Sequence, residues 1–133
     1  MEADLSRGGG RNLILATVAF AACFSAWGFL APIAPDIQKE LDLSNIQTSI
    51  MISIPVVLGS LLRIPLGLLT DRVGGRVVFT GMLFYSAAAA ALVGFASSYG
   101  ALIGAGFLLG AAGASFAVGV PFVAQWYPPE KQG

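Results

Sequence analysis

The chain has 133 residues, 56% of them hydrophobic and only 11% charged, with seven basic and seven acidic side chains in balance. Soluble domains carry about 25% charged residues, so a soluble fold is excluded, and a neutral chain gives no reason to expect nucleic acid. With no histidine and a single cysteine, Cys23, the sequence excludes imidazole metal ligands, a histidine proton relay and an intrachain disulfide.

Residues 1–11 are polar and glycine-rich and are expected to form a disordered tail. Residues 12–133 hold four apolar runs, each close to the ~20 residues that cross a bilayer. The predicted class is an all-α multi-pass membrane protein. The first span is expected over 12–34. It is too long for the core of a signal peptide, and Pro32 and Pro35 are expected to end it. A polar loop, DIQKELDLSN, follows over 36–45. Ser44 with Gln47 three residues later has the spacing of a capping box and predicts the start of the next helix.

The second span is expected over 46–69, the third over 77–96 and the fourth over 101–123. Ser97-Ser98-Tyr99-Gly100 is a polar turn, and Trp126-Tyr127-Pro128-Pro129 closes the fourth run with the aromatics of a membrane interface. Within the fourth span Gly100 and Gly104, then Gly106 and Gly110, are four apart, with Gly113 and Ala117 extending the pattern. Small residues at that spacing let helix backbones approach closely. Pro55, Pro65 and Pro121 lie inside helices, where each removes a backbone donor and favours a kink.

Lysine and arginine near the span ends set orientation. Arg7, Arg11, Arg72, Arg76 and Lys131 lie on one side and Lys39 alone on the other. Both ends of the segment and the loop between the second and third spans are therefore expected on the cytoplasmic side.

Arg63 stands among leucines about six residues, or roughly 9 Å, inside the predicted end of the second span. Such a placement costs about 2.5–3.5 kcal/mol at a helix centre, so something offsets it. Snorkelling to the headgroups is one way. An ion pair would need a carboxylate from outside the spans, because 12–34, 46–69, 77–96 and 101–123 contain no Asp or Glu. The third reading is a polar cavity. A guanidinium offers paired donors to a planar oxyanion, and a net-positive cavity disfavours a cation.

The run that follows, Gly67-x-x-x-Asp71-Arg72-x-Gly74-Gly75-Arg76, needs its own account. Gly67 permits close approach of a neighbouring helix. Asp71 sits at a helix C-terminus, against the dipole, and is expected to have a partner such as Arg72, Arg76 or another helix N-terminus. Gly74-Gly75 permits a tight reversal.

GLLTDRVGGR resembles the loop between helices two and three that marks the major facilitator superfamily. LLRIPLGLLTDRVGGR and GAAGASFAVGVPFVAQWYPPEKQG are similar to the second helix, the fourth helix and the following loop of the nitrate/nitrite porters within it. The likeness covers about residues 12–133. It implies a piece of a twelve-helix fold that moves nitrate or nitrite across the cytoplasmic membrane by alternating access, with no cofactor. It implies that Arg63 binds the anion, that Phe116 lies beside it, that Ser115 offers a polar contact where family members often have Asn, and that Trp27 lines the cavity. Gly67, Asp71, Arg72, Gly75 and Arg76 would form the gating loop. By the same likeness the fifth helix with its nitrate signature and a second arginine are missing, so the chain is expected to be a fragment whose partners are the remaining helices, the bilayer and a small inorganic anion. Two alternatives stay open: a facilitator for another small organic anion, and a non-transporting four-helix membrane protein that docks a partner through the small-residue face of the fourth span.

Overall fold

The structure is a computed structural model that describes residues 2–127 and 130. The described residues form helices α1 (Glu2–Gly28), α2 (Leu30–Glu40), α3 (Asn45–Val73) and α4 (Gly75–Phe95). The last span is α5 (Tyr99–Leu109), a 3₁₀ turn (Gly110–Ala114) and α6 (Ser115–Ala124) in succession. Four stretches are long and apolar enough to cross a membrane: Gly8–Glu40, Asn45–Val73, Gly75–Phe95 and Tyr99–Ala124. Pro128, Pro129 and Lys131, used in the sequence reading, lie outside the described residues.

Several boundaries differ from expectation. Residues 2–11 are helical and continue into the first span instead of forming a disordered tail. The expected loop at 36–45 is mostly helix, because α2 runs through Pro35 to Glu40 and leaves only residues 41–44 as a connection. The chain does break near Pro32, but upstream of it, between Gly28 and Leu30. A proline ring clashes with the carbonyl four residues before it, and for Pro32 that residue is Gly28. Once α2 restarts at Leu30, Pro32 falls in the first turn, where no intrahelical donor is needed.

The capping box forms as its spacing predicts. The Gln47 backbone N–H donates to Ser44 Oγ at 3.2 Å, and the Ser44 N–H donates to the Gln47 side chain at 2.9 Å. Gly74 alone separates α3 from α4, at φ 94°, where a side chain would be strained.

The fourth span is the hub. α1, α3 and α4 each pack against it. One buried cluster joins Leu30, Met51, Val93, Leu102 and Leu109 toward one end of the bundle. A second joins Cys23, Phe79, Met82, Val118 and Phe122 toward the other. Between them every residue of the 3₁₀ turn is buried. Its small side chains allow α3 to cross backbone to backbone: a Cβ on Gly59 would lie 2.6 Å from the Gly110 carbonyl oxygen, and one on Gly110 would run into the Pro55 backbone. Gly106 makes ordinary contact with Leu30, Ile54 and Pro55, while Gly100 and Gly104 face open space. The small-residue pattern thus packs at its C-terminal part only.

Candidate functional site

Arg63 is solvent-exposed on the surface of this bundle and makes no hydrogen bond or ion pair among the described residues. α3 extends to Val73, so its midpoint is residue 59 and Arg63 lies four residues away, about 6 Å along the axis.

The glycines of α3 fix which way this side chain stands. Residues four apart share a helix face, so Arg63 lies on one line with Gly59 above and Gly67 below. Gly59 abuts Gly110 and comes within 3.8 Å of the Gly113 Cα, and Gly67 lies 3.9 Å from the Ala117 carbonyl oxygen, each measured from an ideal Cβ. Arg63 is therefore level with residues 113–117 of the fourth span. Leu66, about 60° round α3 from Arg63, packs into the core with Phe79 and Phe122. Arg63 is exposed and so borders the outer face of the fourth span.

Phe116 stands on that same outer face, 59% exposed. Its ring meets Phe20 of α1 edge-on at 5.9 Å between centroids. Phe20 continues to Phe24 at 5.3 Å, and Phe24 to Trp27 at 5.0 Å. Trp27 closes the row against the fourth span: an ideal Cβ on Gly113 would lie 2.9 Å from both its Cδ1 and its Nε1. Phe116 also lines a groove of about 460 Å³ between α1 and α6, with Leu13, Thr17, Phe20, Val120 and Tyr127.

Three of the four predicted anion-site residues, Arg63, Phe116 and Trp27, thus gather at one level. Ser115 does not join them. It is fully buried, and its Oγ has no hydrogen-bond partner among the described residues. The reason is helical register: Ser115 stands one residue, about 100°, from Phe116 and shares its side with Gly119 and Phe122, which pack on Phe79. The arrangement is a fixed positive charge at the level of a row of aromatic rings, in spans that contain no Asp or Glu. Chemically it suits a small planar anion and repels a cation.

The loop residues divide into distinct roles. Gly75 is buried where any side chain would collide with Phe122. Arg76 donates through Nη2 to Asn12 Oδ1 at 3.1 Å, and Asn12 is only 2% exposed. Asp71 and Arg72 are exposed, and Asp71 makes no ion pair among the described residues. The expected partner Arg76 is committed to α1 instead, and Arg72, the next residue on the helix, points about 100° away. Gly67 makes only ordinary contact, so close approach falls at Gly59. The sequence reading missed Gly59 and Asn12. A lone Asn at the edge of an apolar run was the available signal for the second.

The sequence pattern of the Major Facilitator Superfamily matches residues 15–133. The chain is 44% identical over 123 residues to the "Probable nitrate/nitrite antiporter NarK1" of Thermus thermophilus, covering 92% of this chain and 28% of that protein. It is 40% identical over 125 residues to the "Probable nitrate transporter NarT" of Staphylococcus aureus, covering 94% and 32%. It is 38% identical over 130 residues to the "Probable nitrate/nitrite transporter NarK2" of Mycobacterium tuberculosis, covering 96% and 33%. The chain therefore spans about a third of the length of these relatives. No solved structure matches it significantly.

Proposed function

The chain belongs to the major facilitator superfamily, a family of membrane transporters and not of enzymes, and from that premise we propose that it forms the first four membrane-spanning helices of a nitrate/nitrite porter. The observation that carries this reading is an exposed Arg63 on α3 with no ion pair among the described residues, at the level of the stretch of the fourth span that carries Phe116 and seats Trp27. The names of the relatives support the substrate, and the chemistry of a guanidinium supports it independently. A planar fork of donors matches a planar oxyanion.

In this reading the open face is one wall of a central cavity whose other walls come from further helices, on the same polypeptide or another. The porter lies in the cytoplasmic membrane, with both ends of this segment inside. Transport proceeds by alternating access, two halves rocking about the central anion. Arg63 holds the anion from this half. Gly67, Asp71, Arg72, Gly75 and Arg76 form the cytoplasmic gate, with Gly75 and Arg76 tying the loop to α6 and α1.

The test is nitrate uptake by the assembled porter in a host lacking its own nitrate transport. Arg63→Lys is expected to abolish uptake at unchanged membrane abundance, because lysine keeps the charge and loses the fork. Uptake near the wild-type level would sink the assignment. Uptake that oxalate or formate competes away would move the substrate to a small carboxylate.

A further inference from the structure

The Trp27 indole raises a question that an aromatic wall does not answer. Its Nε1 is completely buried and has no hydrogen-bond partner among the described residues. A buried N–H inside a membrane bundle has no water to turn to, and unpaired polar groups there are costly. Hydroxyls along the spans find acceptors close by: Thr17, Ser49, Ser53, Thr70 and Thr80 each donate to the carbonyl four residues back. An indole cannot reach its own backbone in that way.

The donor also has a defined place. It lies against Gly113, whose missing side chain gives the ring its seat: a Cβ there would come within 2.9 Å of Nε1. Gly113 in turn faces Gly59, one turn along α3 from Arg63. The N–H therefore belongs to the face that carries the guanidinium.

We propose that Trp27 is a substrate-contacting residue of the anion site: its ring turns from its seat on Gly113 and donates the indole N–H to the anion held by Arg63. This inference rests on the proposed anion site. Trp27 supplies a neutral, directional donor beside a charged one. Gly113 matters because it leaves the ring an alternative resting position on the backbone. Anion binding then replaces an unpaired donor with a charge-assisted hydrogen bond, and binding and ring movement are linked.

The experiment measures nitrate uptake kinetics in the assembled porter carrying Trp27→Phe, Gly113→Ala or both, beside Arg63→Lys. Phenylalanine keeps an aromatic ring and removes only the N–H and the second ring. The expected result is a rise of about tenfold in KM with kcat changed less than twofold, the size of one lost hydrogen bond to a charged partner. Gly113→Ala alone is expected to lower KM, because the methyl occupies the resting seat and leaves the ring turned toward the anion. In the double variant the two effects are expected not to add, since residues that act through one contact couple. A KM within twofold of wild type in Trp27→Phe, while Arg63→Lys abolishes uptake, overturns the role of Trp27 and leaves the anion site standing. Additive effects of the two substitutions overturn the link between Gly113 and the ring. Should Arg63→Lys itself transport normally, the anion site fails and this inference fails with it. Membrane abundance of each variant separates these outcomes from misfolding.

Discussion

α3 meets the fourth span twice within about one helical turn, and the two meetings differ in kind. At Gly59 and Gly110 the backbones touch, with no side chain between them, inside a fully buried 3₁₀ turn. At Arg63 and Phe116 the same two helices present large side chains to the outside. The first meeting has no chemistry and no tolerance. The second has a charge, a row of aromatic rings and space. Close contact at the crossing is what holds Arg63 level with residues 113–117, so the packed region gives the open one its geometry.

The comparison breaks most sharply at Gly110. Gly110→Leu drives a branched side chain into the Pro55 backbone, and neither neighbour can yield. Overpacking a rigid site costs 1–3 kcal/mol or more, and with backbone as the obstacle the expected outcome is loss of the folded bundle, read as loss of monodisperse protein in detergent. Gly104→Ala is the control on the same span. Its Cβ would meet nothing within 4 Å, and alanine suits a helix better by about 1 kcal/mol, so its melting temperature should hold or rise. Arg63→Lys should do the reverse of Gly110→Leu, leaving the melting temperature alone while removing uptake. A Gly110→Leu protein that melts like wild type would mean that the helices do not cross where the structure places them.

A middle-sized effect is expected at the loop, where Arg76 and Asn12 are unequal partners. Asn12 is 2% exposed, whereas Arg76 is exposed and can turn to water. Arg76→Ala leaves a buried amide oxygen without a donor, which costs about 1–3 kcal/mol. Asn12→Ala removes the buried acceptor and frees an arginine that solvent can satisfy, so its cost should be the smaller. Thermal unfolding of the two variants checks the order. Equal shifts would mean that the bond does not anchor α1 to the loop.

Much of this was legible in the sequence, for reasons that particular residues make clear. The spans are long apolar runs, and Gly74 announces a reversal because other residues avoid its conformation. Arg63 is conspicuous because charge is expensive there. What escaped depends on direction, which composition does not carry. A single Gly59 in a helical run does not say which helix it faces. Ser115 and Phe116 are adjacent in sequence, yet one is buried and the other exposed, and only packing reveals which. The extension of α2 to Glu40 was hidden because its polar residues look like a loop when their exposed helical face is not known. The partner of Asp71 was misjudged because Arg76 is drawn to Asn12, 64 residues away.

The smallest expected effect lies at the far end of α3, and it tests whether the two meetings are independent of the helix start. Ser44→Ala removes the hydroxyl that accepts from the Gln47 N–H and breaks the reciprocal cap. Caps of this kind are worth about 1 kcal/mol, and this one lies fifteen residues before Gly59 and nineteen before Arg63. Stability should fall by about that amount, with KM for nitrate unchanged, because α3 is held at Gly59 by backbone contact and not by its cap. A shift in KM would show the opposite: that the register of α3 against the fourth span is set from its N-terminus, and that Arg63 is positioned by the cap as much as by the crossing.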